Sequence, residues 1–226
     1  MVIFRSMQWL HSISNHCPAC LQPSDGLCPV CRGFLTRIEL ACQACAVPIE
    51  SGELCGNCLK QPPDWNQVIA PWTFDGLARF LIHQFKYQHD KSSGRALVRE
   101  WLAISETLRK PVDALLAVPM HRRKQAERGY NQATVLAKYI AAELKIPLFQ
   151  QLKRTQQTQA LEGLSRKERQ HELKNAFELT ATPPKRIAII DDVLTTGATA
   201  NIITRLLKRN GCKFVSVWAL ARTPLK

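Results

Sequence analysis

The chain has 226 residues and 25.5 kDa, with 46% hydrophobic and 22% charged residues, the proportions of a folded protein of one or two domains. No run approaches the roughly 18 consecutive apolar residues of a membrane span. The opening segment 1–14 carries Arg5 inside its apolar patch and lacks a small-residue cleavage site, so membrane spanning, secretion and disorder are not expected. The formal net charge of +13 is uneven: residues 1–118 are nearly neutral, 119–170 hold 11 Lys/Arg against four Asp/Glu, and 171–226 hold nine against four. Such an excess predicts a polyanionic ligand or partner for the second half, against the plainer alternative of a solvated basic face.

Eight of the nine cysteines fall before residue 59 as four CxxC pairs, Cys17/Cys20, Cys28/Cys31, Cys42/Cys45 and Cys55/Cys58. A CxxC turn aims both sulfurs at one point, and tetrahedral Zn²⁺ needs a second pair to close the site. A single pair could be redox-active, but four in series point to metal. The short loops favour sequential sites, Cys17, Cys20, Cys28 and Cys31, then Cys42, Cys45, Cys55 and Cys58; an interleaved cross-brace is open to the same spacing. Both halves begin with a CxAC element, a weak internal repeat. A segment so poor in apolar residues takes its stability from metal, which points to two structural Zn²⁺ ions. Each ion with four thiolates carries −2, lowering the formal charge to about +9, so this module is not the source of polyanion affinity. Cys212, after Gly211 at the start of an apolar run, reads as a buried small hydrophobe.

Pro62-Pro63 marks a boundary, giving a double zinc-ribbon module over 1–62 and an α/β domain over 63–226. Within the latter, 68–74 reads as a strand, and 76–88 as a helix with Leu77, Phe80, Leu81 and Phe85 on one face. A second helix is predicted over 95–108, a buried strand over 114–118 ending at Pro119, and a third helix over 131–144. The polar stretch 153–174 reads as a loop over 155–163 and a helix from Ser165. A strand over 187–190, a helix over 198–210 stopped by Gly211, and a strand over 214–219 complete the pattern. Such alternation predicts a parallel sheet with helices on both faces, and a ligand at the carboxyl ends of its strands.

There the sequence places Asp191-Asp192-Val193-Leu194-Thr195-Thr196-Gly197-Ala198-Thr199. A Thr/Gly turn opening a helix offers backbone N–H groups and hydroxyls to a phosphate. The carboxylates suit sugar hydroxyls or hydrated Mg²⁺. Together they describe a ribose 5-phosphate. An ordinary N-capped helix accounts for one Thr or Asp, but not for the whole run.

The segment 187–200 resembles the phosphoribosyl pyrophosphate (PRPP) signature of type I phosphoribosyltransferases. With the multi-CxxC module and Arg128-Gly129-Tyr130-Asn131-Gln132, the whole chain resembles the ComF/GntX family of competence and DNA-utilisation proteins, the GntX branch above all. The resemblance implies a type I phosphoribosyltransferase-like α/β fold, PRPP with Mg²⁺, and a cytoplasmic role in handling incoming single-stranded DNA beside DNA-uptake proteins. It implies that Asp191 and Asp192 are the catalytic pair on the ribose 2′- and 3′-hydroxyls, and that Thr195, Thr196, Gly197, Ala198 and Thr199 cradle the 5′-phosphate. Met120, His121 and Arg122 fall where the family has its pyrophosphate loop. Lys86 falls in a helix-end motif that reaches phosphate, and 154–169, beginning at Arg154, corresponds to a loop closing over the ligand.

The cluster Arg122, Arg123, Lys124 and Arg128 independently suits pyrophosphate, since Arg forks bind phosphate oxygens in pairs. Trp72, Trp101 and Tyr130 are candidates for stacking DNA bases, with burial in a core as the alternative. The sequence shows no insertion like the base-binding hood of the transferases. A PRPP-binding protein of DNA utilisation is therefore the first expectation. An active transferase on an unidentified acceptor and a PRPP-sensing adaptor stand beside it.

Overall fold

The computed structural model describes residues 15–155 and 176–224. The predicted loop over 155–163 and helix from Ser165 fall almost wholly outside them, as does the opening segment 1–14. In chain order the described elements are α1 (Pro29–Arg32), α2 (Gly56–Lys60), β1 (Gln67–Ile69), β2 (Trp72–Thr73), α3 (Gly76–Tyr87), α4 (Lys91–Ser105), β3 (Ala114–Ala117), α5 (Arg122–Arg128), α6 (Gln132–Leu144), β4 (Leu152–Arg154), β5 (Phe177–Leu179), β6 (Arg186–Leu194), α7 (Ala198–Arg209) and β7 (Phe214–Arg222).

The expected mixed α/β architecture with a parallel central sheet is present. β1 and β2 both pair with β7, then follow β6 and β3, every pairing parallel. β4 and β5 form a separate antiparallel pair. Because successive strand residues face opposite ways, the run Ile187-Ala188-Ile189-Ile190 feeds two cores. Ile187 and Ile189 join Leu116, Val215 and Val217 under Ile203 and Leu207 of α7. Ala188 and Ile190 join Leu115 and Trp218 under α3, α4 and α6. A sheet covered on both faces has no polar side, which is why its strands read as continuous apolar runs.

Several elements differ from expectation. The strand expected over 68–74 is two short strands separated at Ala70-Pro71, where proline has no N–H for the ladder. α4 starts four residues early because Asp90 caps it, accepting from the N–H groups of Ser92 at 2.9 Å and Ser93 at 3.3 Å. On α3 the buried face is Ala78, Leu81, Ile82 and Phe85, an i, i+3, i+4, i+7 set, and Phe80 is exposed. Trp72 and Trp101 are core residues, not stacking platforms. Trp101 donates its indole N–H to the Ala219 carbonyl at 2.9 Å, and its ring lies 5.3 Å from that of Trp218. Tyr130 is half-buried, its hydroxyl donating to the Phe85 carbonyl. Cys212 is buried, as expected.

The first 62 residues contribute to both cores. Cys17, Leu27, Cys31 and Leu35 belong to the α3/α4/α6 side of the sheet, whereas Cys42, Cys45, Val47, Cys55 and Cys58 belong to the α7 side. The chain passes between them along the sheet edge, where Ile38 N–H donates to Pro71 O at 2.9 Å and Thr73 N–H to Thr36 O at 3.1 Å. Each four-cysteine group thus sits over a different face of one sheet.

Candidate functional site

The cysteines form two groups, Cys17, Cys20, Cys28 and Cys31, and Cys42, Cys45, Cys55 and Cys58, the sulfurs of each lying within 4.8 Å of one another. The pairing is sequential; no cross-brace forms. The internal repeat is geometric as well. Leu21 N–H bonds Cys17 O and Ala46 N–H bonds Cys42 O, both at 2.8 Å, and Leu21 and Ala46 share a positive φ of 63° and 57°. Tetrahedral zinc with bonds of about 2.3 Å sets its sulfurs about 3.8 Å apart. The Cys20–Cys28 and Cys45–Cys55 sulfurs are each 3.8 Å apart.

Backbone amides complete the donor shell: Cys31 N–H points to the Cys28 sulfur at 3.4 Å and Cys55 N–H to the Cys42 sulfur at 3.3 Å. Burial opposes ionisation at Cys17 and Cys42, but surrounding amides bring these thiols down to about 6 and about 7. Burial and neighbouring sulfurs push Cys31 and Cys58 upward instead. A single dication shared by four thiolates relieves that conflict, so both groups fit Zn²⁺.

A second constellation forms where β3 and β6 end. β3 pairs with β6 only as far as Ile190, whereas β6 continues beside β7 to Leu194. Asp191 and Asp192 therefore lie within a strand but past the end of its β3 neighbour, not beyond the strand tip as the sequence suggests. Val118, just after β3, donates its N–H to Ile190 O at 3.0 Å. This brings the Pro119–Met120–His121 loop beside the acidic pair. His121 caps α5 by accepting from Arg123 N–H at 3.2 Å. The side chain of Arg122 lies outside the description.

Lys86, in the last turn of α3, places its ammonium 2.9 Å from Asp192 Oδ1, and both side chains are largely buried. Burial, with the adjacent Asp192 charge, pushes the Asp191 carboxyl up to about 7; Lys86 and the Asp192 N–H, 2.9 Å from Asp191 Oδ1, pull against it. Lys86 is thus a counter-ion of the acids. The Arg128–Gln132 motif braces this arrangement. Besides the Tyr130 bond to Phe85 O, Gln132 donates to Lys86 O at 3.3 Å, and Asn131 donates to Val118 O at 3.0 Å while capping α6. Burial pushes the Tyr130 phenol up to about 12, which keeps it a donor.

After β6, Thr195 and Thr196 are exposed, and Gly197 takes φ +74° as it opens α7, followed by exposed Ala198 and half-buried Thr199. A Cβ at Gly197 would lie 2.7 Å from the Trp65 ring, so glycine is required by both conformation and space. Ala198 N–H bonds the Thr196 hydroxyl at 3.3 Å. Asp191, Asp192, Lys86, Met120, His121 and the Thr195–Thr199 turn thus gather at one end of the sheet. Arg154 lies on β4, with its guanidinium over the Phe177 ring at 5.5 Å.

Two residues that sequence reasoning missed underlie the turn. Arg222, the last residue of β7, donates to Leu194 O at 2.8 Å, to Thr195 O, and to Cys45 O at 2.7 Å. Trp65 donates its indole N–H to Ala44 O at 2.7 Å. Neither belongs to a motif that could have announced it.

No family model matches the sequence. Competence protein F of Haemophilus influenzae is 36% identical over 219 residues, covering 92% of this chain and 95% of its own. The DNA utilization protein YhgH of Escherichia coli K12 is 34% identical over 207 residues, 88% of this chain and 91% of its own. Competence protein ComFC of Streptococcus pneumoniae is 30% identical over 183 residues, 75% of this chain and 81% of its own. Among solved structures, Leishmania donovani UMP synthase overlaps 63% of this chain and 24% of its own, with a TM-score of 0.38 and 20% identity, too slight a likeness to bear on the fold. With relatives matched along nearly their whole length at this identity, the chain belongs to the ComF family.

Proposed function

We propose that this chain binds PRPP with Mg²⁺ at the β3/β6 strand ends and serves in the utilisation of DNA taken up from outside, handling it as single strands. The observation that supports the ligand most is the sequence of chemistries along one strand end. An acidic pair is followed shortly by a Thr-Gly turn that opens a twelve-residue helix. Phosphate suits the helix N-terminus, and a hydrated cation or ribose diol suits the acids. Bound Mg²⁺ would neutralise pyrophosphate charge. Asp191 and Asp192 would orient the sugar, and Lys86 would hold Asp192 in place and offer a cation to phosphate. The DNA role comes from relatives named for competence and DNA utilisation, joined to the exposed basic residues Arg123 and Lys124 on α5.

Calorimetric titration of Mg²⁺·PRPP tests the site. The Asp191→Asn/Asp192→Asn double variant is expected to lose binding at least 100-fold while remaining folded; unchanged affinity overturns the assignment. Single-stranded DNA affinity is expected to fall steeply between about 50 and 200 mM salt, and a flat response removes the electrostatic account. The Asp191 carboxyl, raised to about 7, also suits proton transfer near neutral pH. It favours a second reading, transfer of the phosphoribosyl group to an acceptor. That reading requires pyrophosphate release from PRPP when an acceptor is supplied, and a broad acceptor screen without release removes it.

A further inference from the structure

Arg222 is only 3% exposed. A guanidinium this deep normally faces a carboxylate, because an uncompensated buried charge costs several kcal/mol. Among the described residues Arg222 makes no ion pair; its partners are the carbonyls of Cys45, Leu194, Thr195 and Thr223. The second four-cysteine group holding Zn²⁺ carries net −2, and Cys45 is both one of its ligands and an Arg222 partner. A Zn²⁺-filled site would therefore supply the missing counter-charge.

Trp65 makes a second link between the same places. Its indole N–H is held by Ala44, within the Cys42–Cys45 turn, and its ring occupies the space beside Gly197. The first four-cysteine group has its contacts on the other face instead, through Arg32 to Glu100 at 2.8 Å and Asp25 to Arg99 at 2.5 Å.

We propose that Arg222 is a positioning residue through which the zinc-filled second four-cysteine group holds the Thr195–Gly197 turn in its anion-binding shape. The ligand half of this proposal rests on the reading of that turn as the ribose-phosphate site. The Arg222 guanidinium bonds the Leu194 and Thr195 carbonyls where the turn begins, while Thr195 and Thr196 stay exposed.

The test compares the full-length zinc-loaded chain with Arg222→Gln, Arg222→Lys and, as a control on the other face, Arg99→Gln. Amide hydrogen exchange over residues 194–199 is read without ligand, and Mg²⁺·PRPP affinity is read by calorimetry. Both Arg222 variants are expected to exchange at least tenfold faster in this segment and to bind PRPP at least tenfold more weakly, with Arg99→Gln matching the parent in both. Should Arg222→Gln fail to fold, Arg222→Lys, which keeps the charge but not the fork, carries the test. A folded Arg222→Lys protein with two zinc ions and parental exchange overturns the proposal. Faster exchange in a chain whose parent binds no PRPP keeps the strap and removes the ligand reading; parental exchange with intact PRPP binding does the reverse.

Discussion

At Asp191, burial and a like charge work against a lysine and a backbone amide, and the carboxyl ends near 7 rather than near 4. The folded chain therefore retains a proton that the unfolded chain releases between about pH 4 and pH 7. Stability from this group is full at the acid end and falls as pH rises through that window. Asp191→Asn removes the titration. Relative to the parent, the variant is expected to gain on the order of 2–3 kcal/mol between pH 5 and pH 8, measured as urea midpoints; parallel pH profiles would contradict the assignment. The acidic pair and the Thr-Gly turn were legible in the sequence because their chemistry is contiguous. Arg222 and Trp65 were not, because their partners lie far along the chain: Cys45 is 177 residues from Arg222, and Ala44 is 21 from Trp65. One Arg after an apolar run carries no sign of where its fork will land.

Among the elements, the α3/α4 contact shows how closely the helices that carry the site are set. Gly94 of α4 faces Phe85 of α3, and a Cβ there would come within 2.7 Å of the ring. Phe85 is fully buried and directly precedes Lys86. Gly94→Ala should gain up to about 1 kcal/mol of helix propensity and lose about 1–3 kcal/mol to overpacking. A net loss of about 1 kcal/mol is the expected outcome in urea denaturation; a stabilised variant would show that α3 can move away freely. Existence and type of the longer elements were readable from their periodicity, but two details were not. The exposed Phe80 broke the predicted α3 face, since an apolar residue need not be buried. The extension of β6 to Leu194 depends on β7 continuing beside it after β3 has ended, which only the assembled sheet determines.

For the whole molecule, two four-cysteine groups that fit Zn²⁺ would join metal and fold in one equilibrium. The purified chain is expected to hold two zinc ions, and a strong chelator to lower its melting temperature by more than about 10 °C, because binding energy at such sites is folding energy. A metal-free chain melting like the parent would refute a structural role. The cysteine spacing made the ligand sets legible. It gave no hint that the two groups settle on opposite faces of one sheet, since that depends on which apolar neighbours, Leu27 and Leu35 or Val47, find which core. The segment between them, anchored at each end by a four-cysteine group, lies along β2 and occupies its free hydrogen-bonding edge at Thr36 and Ile38. An uncovered strand edge is a template for pairing with another chain. Zinc held at both groups would thus guard against self-association as well as unfolding: a chain stripped of both ions would lose the tethers of its own edge cover, and light scattering should rise on chelation even well below the melting temperature.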